Sequence, residues 1–573
     1  MKRSTIAPIG AVCLVFALAL ASGCGGEYAD GDDDSQDAAS SADAGSFQPE
    51  CFSANECPTG WTCSEFGTCV PPPPSATDGG VEPPPEVEYE MGAPVSSLRF
   101  IYVAMTELDA LAKIDGTTLA VTSLHVGEAP EVIATAPGTD TAVALDSING
   151  TATVIRPTVD NDLKVTMATL PHLNQLVIDP TGSYAVSWFD LNKAVAQAGG
   201  LDFVDQIGSF QDVTVIDLTP GEEHAVDLTV GFRPREVEFD EAGTRAFVVT
   251  EDGISVIDLE QATDEGPSIV PPIPVTGDPF ADPETIEVDI VSTGSYAIIR
   301  EHGLAQIRVL SLDGADTGDS WVLPLPAEPS DIDLSPDGTR AYAVLRDAFA
   351  LAVIDVPGDA LAPDGIELIS LGDELVGSLI LSRDGYTGIL FTNAFLEERL
   401  TVIDLEQAGY PLATYPLQKS IRHVQLSPDG DKALIVHAKQ IGDPGEATTF
   451  DEYIDRSYGY SVFDVAEGFA KLQITPVDPG SFTFPDSAPL AYLILDGGDA
   501  EGAIAEVQTI ELDTGVVRST DLGSPPSSVG VLPHAGNAFI SQRHPLGRVS
   551  FIDIASGEVR TITGFDLNSR IVD

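Results

Sequence analysis

Basic residues are scarce in this chain, and cysteine is absent after residue 69. Only 27 lysines and arginines stand against 90 aspartates and glutamates in 573 residues, a formal net charge of −63. Such a surface repels phosphate backbones and anionic headgroups, which argues against nucleic acid and against polybasic docking to a membrane. It tolerates a saline exterior, where screening within roughly 8 Å relieves self-repulsion. A calcium-binding surface is the competing reading of the same excess. All six cysteines fall within residues 1–69, so thiol catalysis is excluded from the bulk of the chain. There is no G-x-S-x-G elbow, H-E-x-x-H helix, phosphate loop or dinucleotide fingerprint. The eight histidines are scattered, without a ligand-like i, i+4 pair.

What is present begins with an address. Lys2 and Arg3 precede an apolar run from Ile6 to Ala21, marginally short for a membrane span and followed by small residues that mark processing. Ala21-Ser22-Gly23-Cys24 resembles a bacterial lipobox, with Ala where Leu is commoner. That resemblance implies a signal peptide over 1–23, acylation of Cys24 and anchoring by lipid alone, in an outer membrane of the cell envelope. An ordinary secretory signal is the alternative. Residues 24–50 are small and acidic and read as a flexible tether. Cys51, Cys57, Cys63 and Cys69 follow at even spacing. In an exported chain they indicate two disulfides over 51–69, with three pairings open, and their C-x5-C spacing is not that of a zinc knuckle. The segment is weakly similar to small C-P-x-G-x-x-C modules of extracellular proteins. A Pro-rich linker over 70–95 completes the approach.

From residue 96 to 573 the chain repeats itself. A turn signal recurs as Asp179-Pro180-Thr181-Gly182, Asp240-Glu241-Ala242-Gly243, Ser335-Pro336-Asp337-Gly338, Ser382-Arg383-Asp384-Gly385 and Ser427-Pro428-Asp429-Gly430. Ser or Asp accepts backbone hydrogen bonds, Pro presets φ, and Gly takes a positive φ. In step with it come Val215-Ile216-Asp217-Leu218, Val256-Ile257-Asp258-Leu259, Val353-Ile354-Asp355-Val356, Val402-Ile403-Asp404-Leu405, Val462-Phe463-Asp464-Val465 and Phe551-Ile552-Asp553-Ile554. The repeated Asp reads as structural, because it recurs in most copies. The unit is four antiparallel strands over roughly 40–60 residues, the period of a propeller blade. Counting third strands gives about ten units. The fold class is therefore all-β: a propeller of about ten blades, in one large ring or two smaller ones. The first unit opens on "LRFIYVAM" and the chain ends on "DLNSRIVD". This predicts a C-terminal strand that supplies the missing inner strand of the first blade and closes the ring.

The alternation of S-P-D-G turns with V-I-D strands resembles the YVTN-type, lactonase-like β-propeller proteins of bacterial surfaces. Seven blades are usual there, and the family mixes enzymes, scaffolds and binding proteins.

Two units are swollen between their second and third strands, at residues 189–211 and 439–459. Both inserts leave the same type of connection, which places them on one face and, in a ten-bladed ring, on opposite sides of it. Inserts in repeat proteins gather on the working side. Phe203, Phe450, Tyr453, Tyr458 and Tyr460 are candidate contact aromatics, and Asp451, Glu452 and Asp455 are candidate ligands for a cation such as Ca²⁺. At the starts of inner strands, Arg235, Glu236, Asp331, Arg422 and His423 lie toward the same mouth. Arg422-His423 is a basic pair suited to a carboxylate or phosphate. Asn149-Gly150-Thr151 matches a glycosylation sequon but reads as a hairpin turn.

Three functions follow from these features. A binding or scaffold protein would recognise an envelope protein or polysaccharide on the insert face, touching membrane only through its lipid. A lactonase-like hydrolase at the channel mouth is what the resemblance alone implies, with Arg422 and His423 as its best candidates. A passive structural component of the envelope is the third.

Overall fold

A computed structural model describes residues 91–573 apart from 159–160, 202–203, 205–206, 265, 279, 359–365, 501 and 572–573, together with two short strands near the N-terminus. Those strands, Thr62–Cys63 and Cys69–Val70, pair antiparallel and set Cys63 opposite Cys69 along the backbone. The signal segment, Cys24, the tether, Cys51 and Cys57 lie outside the described residues.

The repeats fold into ten sheets arranged as a ring of blades. Most have four antiparallel strands in simple up-and-down order; blade 6, for instance, runs Asp331–Leu334, Arg340–Leu345, Ala350–Asp355 and Glu367–Ser370. Blade 4 has three among the described residues, Glu236–Phe239, Arg245–Thr250 and Gly253–Asp258. Its outer edge is met instead by an isolated bridge from Ile254 to Ile273, while Ile269 of the same proline-rich segment bridges Thr229 of blade 3.

Both repeated signatures have a visible cause. In the S-P-D-G turn of blade 6, the Ser335 Oγ donates to Asp337 (2.7 Å) and accepts from the amide of Arg340 (2.9 Å). Gly385, in the next turn, sits at φ +74°, and a Cβ there would stand 2.5 Å from Pro336 of the neighbouring blade. The turn therefore requires glycine twice over, for its backbone and for the close approach of the adjacent turn. Where a third strand ends on Asp, that Asp caps the following turn: Asp404 accepts from the amides of Glu406 and Gln407, and Asp553 from that of Ser556. Its recurrence is structural, as its repetition suggests.

Burial fixes the ring. Each interface between consecutive blades has its own apolar cluster, formed by one face of each sheet. Blades 5 and 6, for example, meet through Ile298, Val309, Ala343 and Ile354. The last interface joins the ends of the chain, with Ile101, Val103 and Ile114 of blade 1 packed on Leu532, Phe539 and Phe551 of blade 10. Hydrogen bonds from Asn537 Nδ2 to the Gly116 carbonyl (2.7 Å) and from the His534 N–H to the Leu98 carbonyl (2.9 Å) cross the same seam. A single ring of ten follows, and two smaller propellers are excluded.

The C-terminal strand joins the first blade, but on the other edge. Ser569–Ile571 pairs parallel with the outer strand Val121–His125. The inner place is already filled by Val95–Ser96, extended by a bridge between Met91 and Met105. That inner strand reads in sequence as linker, because "MGAPVSS" is small and proline-bearing. Its amides nonetheless need partners, and the Gly92 N–H finds the Ala104 carbonyl at 2.9 Å. The propeller thus begins inside the segment assigned to the linker.

Candidate functional site

Up-and-down order gives the ring two unlike faces. The S-P-D-G turns and the caps of the third strands occupy one, here the turn face. The second-to-third connections and the crossings between blades occupy the other, the insert face. Both inserts are there, in blades 3 and 8, five places apart among ten.

Each insert carries a short capped helix. Leu191–Ala198 starts at Asp190, which accepts from the amides of Asn192 and Lys193, and stops at Gly199 with φ 77°. Phe450–Arg456 starts at Thr449, whose side chain accepts from the Glu452 amide. A lysine pins each one down. Lys193 Nζ donates to the Asn174 carbonyl (2.8 Å) and to Gln175 Oε1 (3.0 Å) at the start of its own blade's inner strand. Lys419, buried ahead of the inner strand of blade 8, donates to the Asp455 carbonyl at 2.7 Å.

The candidate residues divide by what they touch. Phe450 and Tyr453 are exposed and stacked, with ring centroids 6.4 Å apart. Tyr458 faces Lys439 Nζ at 4.4 Å, while Tyr460 is buried and donates to Gln508 Oε1. Phe203 lies outside the described residues. Glu452 accepts from Thr448 and pairs with Arg456, so its charge serves the helix N-terminus. Asp451 and Asp455 sit on the same helix, and among the described residues no three Asp, Glu, His or Cys side chains group as a metal site. Arg422 reaches Asp478 (2.8 Å) and the Pro479 carbonyl (3.1 Å) on the entry to blade 9. Arg235 likewise reaches the Pro283 carbonyl (2.6 Å) ahead of blade 5. These arginines brace one blade against the next. His423 packs 6.0 Å from the Phe482 ring, and burial, then Arg422, holds its imidazole below the usual range. Asn149 turns its amide onto Asp146 in the hairpin expected there.

Exposed apolar side chains on loops differ between the faces. Among the described residues, Tyr386 is the large one exposed on a loop of the turn face. Ile207, Phe232, Phe280, Phe395, Leu396 and Ile441 are all exposed on loops of the insert face, some of them fully, and Phe450 is exposed on an insert helix there. Ordinary surfaces scatter such groups singly. Here those on loops gather on the insert face, while Leu163, Leu412, Phe469, Val516 and Val559 are exposed where the outer strands open at the turn-face end.

A second feature lies on the inner strands and was only half visible in the sequence. Blades 4, 5 and 6 present Glu236 and Glu238, Glu287 and Asp289, and Asp331 and Asp333, alternate residues that share one side of each strand. Arg300 pairs with Glu287 and donates to the Pro329 carbonyl, and Asp331 accepts from the Leu379 amide at 2.9 Å. Burial first, then the neighbouring carboxylates, pushes Glu238 up to about 8 and Asp289 up to about 7. Asp333 is raised well above the carboxylate range by the same causes. Glu236 and Asp331 stand out as strand starts, but the paired acids two residues on read as ordinary solvent-facing alternation.

No protein-family model matches the chain, and no curated protein matches it either. Among solved structures it is similar to the dihydro-heme d1 dehydrogenase NirN in complex with DHE (12% identity, covering 75% of this chain and 74% of that one, TM-score 0.39). It is also similar to the Cps50 (Swd1) β-propeller domain of Myceliophteria thermophila (11%, 61% and 96%, TM-score 0.31). A third similar structure is apo AztD from Citrobacter koseri (15%, 62% and 92%, TM-score 0.35).

Proposed function

We propose that the chain is a lipid-anchored binding protein of the cell envelope, an outer-membrane lipoprotein. Its ring captures a protein or polysaccharide partner on the insert face. The observation that carries this reading is the gathering of exposed apolar loop residues, Phe395, Leu396 and Ile441 among them, on the insert face. Desolvating aromatic and aliphatic anchors is where association energy concentrates, and a rim of polar loops completes such a surface. The two pinned helices add rigid arms, so less ordering entropy is lost on contact. A lipidated Cys24 and the acidic tether would hold the ring away from the membrane while leaving that face free to search.

The test compares a fourfold variant with a single one. Replacing Phe395, Leu396, Phe450 and Tyr453 with Ala should abolish capture of a partner from envelope extract by the immobilised protein. Tyr386→Ala, on the turn face, should leave the captured species unchanged. Equal capture by both variants would refute the assignment of the face. Membrane fractionation of Cys24→Ser tests the anchor separately, and its expected result is release into the soluble fraction.

A further inference from the structure

Closing the ring leaves a cavity at its seam that neither end of the chain encloses alone. It measures ≈ 790 Å³ and lies between blades 1 and 10 on the insert face. Val103 and Phe565 give it apolar wall, and Glu107 stands exposed at its rim. Polar groups line the rest, and three of them have donors to spare.

Arg548 donates from Nε to Thr563 Oγ1 (2.8 Å) and from one terminal nitrogen to Ser524 Oγ (2.7 Å), both neutral. Among the described residues no carboxylate forms an ion pair with it. Its guanidinium fits because Gly523 has no side chain; a Cβ there would stand 2.6 Å from it. Its neighbour Arg543 is bound to Asp496 and Asp499. In a chain with 90 acidic residues, counter-ions are plentiful, yet among the described residues none pairs with Arg548. His544 accepts the Leu546 N–H on Nδ1 at 3.1 Å, so the neutral ring carries its proton on Nε2. Burial, then the Arg548 charge, holds this imidazole below its usual range and keeps it neutral. Ser528 Oγ is buried in the wall without a partner, a costly state for a hydroxyl.

We propose that the seam cavity binds a small organic monocarboxylate, its carboxylate on Arg548, His544 and Ser528 and its apolar body against Val103 and Phe565. One uncompensated positive charge beside a neutral imidazole matches one negative charge. A dianion would leave net negative charge in the cavity, against Glu107 and the field of the whole chain. A guanidinium and two neutral donors suit a planar carboxylate. This site is independent of partner capture and does not rest on it.

The experiment titrates the full chain with benzoate and hexanoate, and with benzamide and hexanamide, by calorimetry. The acids should bind at millimolar or lower concentration and the amides about tenfold or more weaker. Arg548→Met should abolish that preference, with Arg548→Lys restoring part of it. Glu107→Gln, on the exposed rim, should tighten the acids about threefold by removing a like charge. Unchanged thermal midpoints would certify that the variants are folded. If Arg548→Met does not fold, Glu107→Gln and His544→Phe decide, the second weakening the acids alone. Equal binding of acid and amide, no binding of either acid, or acid affinity unaltered in the folded variants would overturn the proposal.

Discussion

Lys419 and Asp455 are 36 residues apart, and the Nζ of the first lies 2.7 Å from the main-chain carbonyl of the second. The lysine is 1% exposed, and it joins the entry of blade 8 to the end of that blade's insert helix. Burial pushes its ammonium below the ordinary lysine range, against the pull of Asp455 and Glu398. A costly buried cation is tolerated because it satisfies a carbonyl at a helix end and fixes the arm. Lys419→Met, of similar volume, should cost about 1–3 kcal/mol in denaturant unfolding. It should also raise amide exchange across 439–457 selectively. Uniform exchange over blade 8 would show that the arm does not depend on this anchor.

The carboxyl tiers of blades 4 to 6 predict a stability that declines toward alkaline pH. Glu238 and Asp289 keep protons to about 8 and about 7 in the fold but lose them near 4 when unfolded. The folded chain therefore binds more protons, and their stabilising contribution is complete below about pH 4 and lost as pH rises through 7 to 8. His437 works in the other direction. Burial pushes it down to about 4, so its contribution is present above the usual imidazole value and is lost as pH falls toward 4. Two carboxyls outweigh one imidazole, so scanning calorimetry should find the midpoint falling as pH rises from about 4 toward 8. Glu238→Gln should flatten the alkaline limb and add on the order of 1–3 kcal/mol above about pH 8. An unaltered limb would remove Glu238 as its source.

Much of the ring was legible because its signals are local. A turn that needs Ser, Asp and a positive-φ glycine, and a third strand that ends on a capping Asp, are each written within a few residues. Their period carries the blade count and locates both inserts. What escaped was set by contacts distant in sequence. Val95–Ser96 becomes an inner strand only because the second strand of blade 1 lies beside it. The acids Glu238, Asp289 and Asp333 matter only because three inner strands stand side by side. The seam cavity needs Glu107 and Arg548 brought together by closure. Arg422 and His423 were conspicuous as a basic pair, yet the arginine is bound to Asp478, a partner 56 residues on that no local pattern marks.

The abutting turns make a paired prediction. Gly385 and Gly557 share nearly the same backbone, φ +74° and +71°, but a Cβ on Gly557 meets nothing within 4 Å. Gly557→Ala should therefore cost only the left-handed strain of about 1 kcal/mol. Gly385→Ala should cost distinctly more, since its Cβ would stand 2.5 Å from Pro336. Pro336→Ala should recover part of that excess in the double variant. Additive losses in the cycle would show that the two turns do not touch in solution.

The seam makes the last prediction, and it separates packing from pairing. Phe565 is buried against the blade 1 and blade 10 cluster, whereas the strand after it adds a short parallel ladder on an outer edge that is already built. The inner strand and the shared cluster close the ring without that ladder. Deleting residues 569–573 should therefore leave a folded ring, with a modest fall in midpoint and faster amide exchange in the strand Val121–His125. Phe565→Ala removes a buried ring and should cost about 3–5 kcal/mol, with exchange rising in blades 1 and 10 together. If the truncation is the more damaging of the two, the outer ladder, and not the apolar seam, is what holds the ends of the chain.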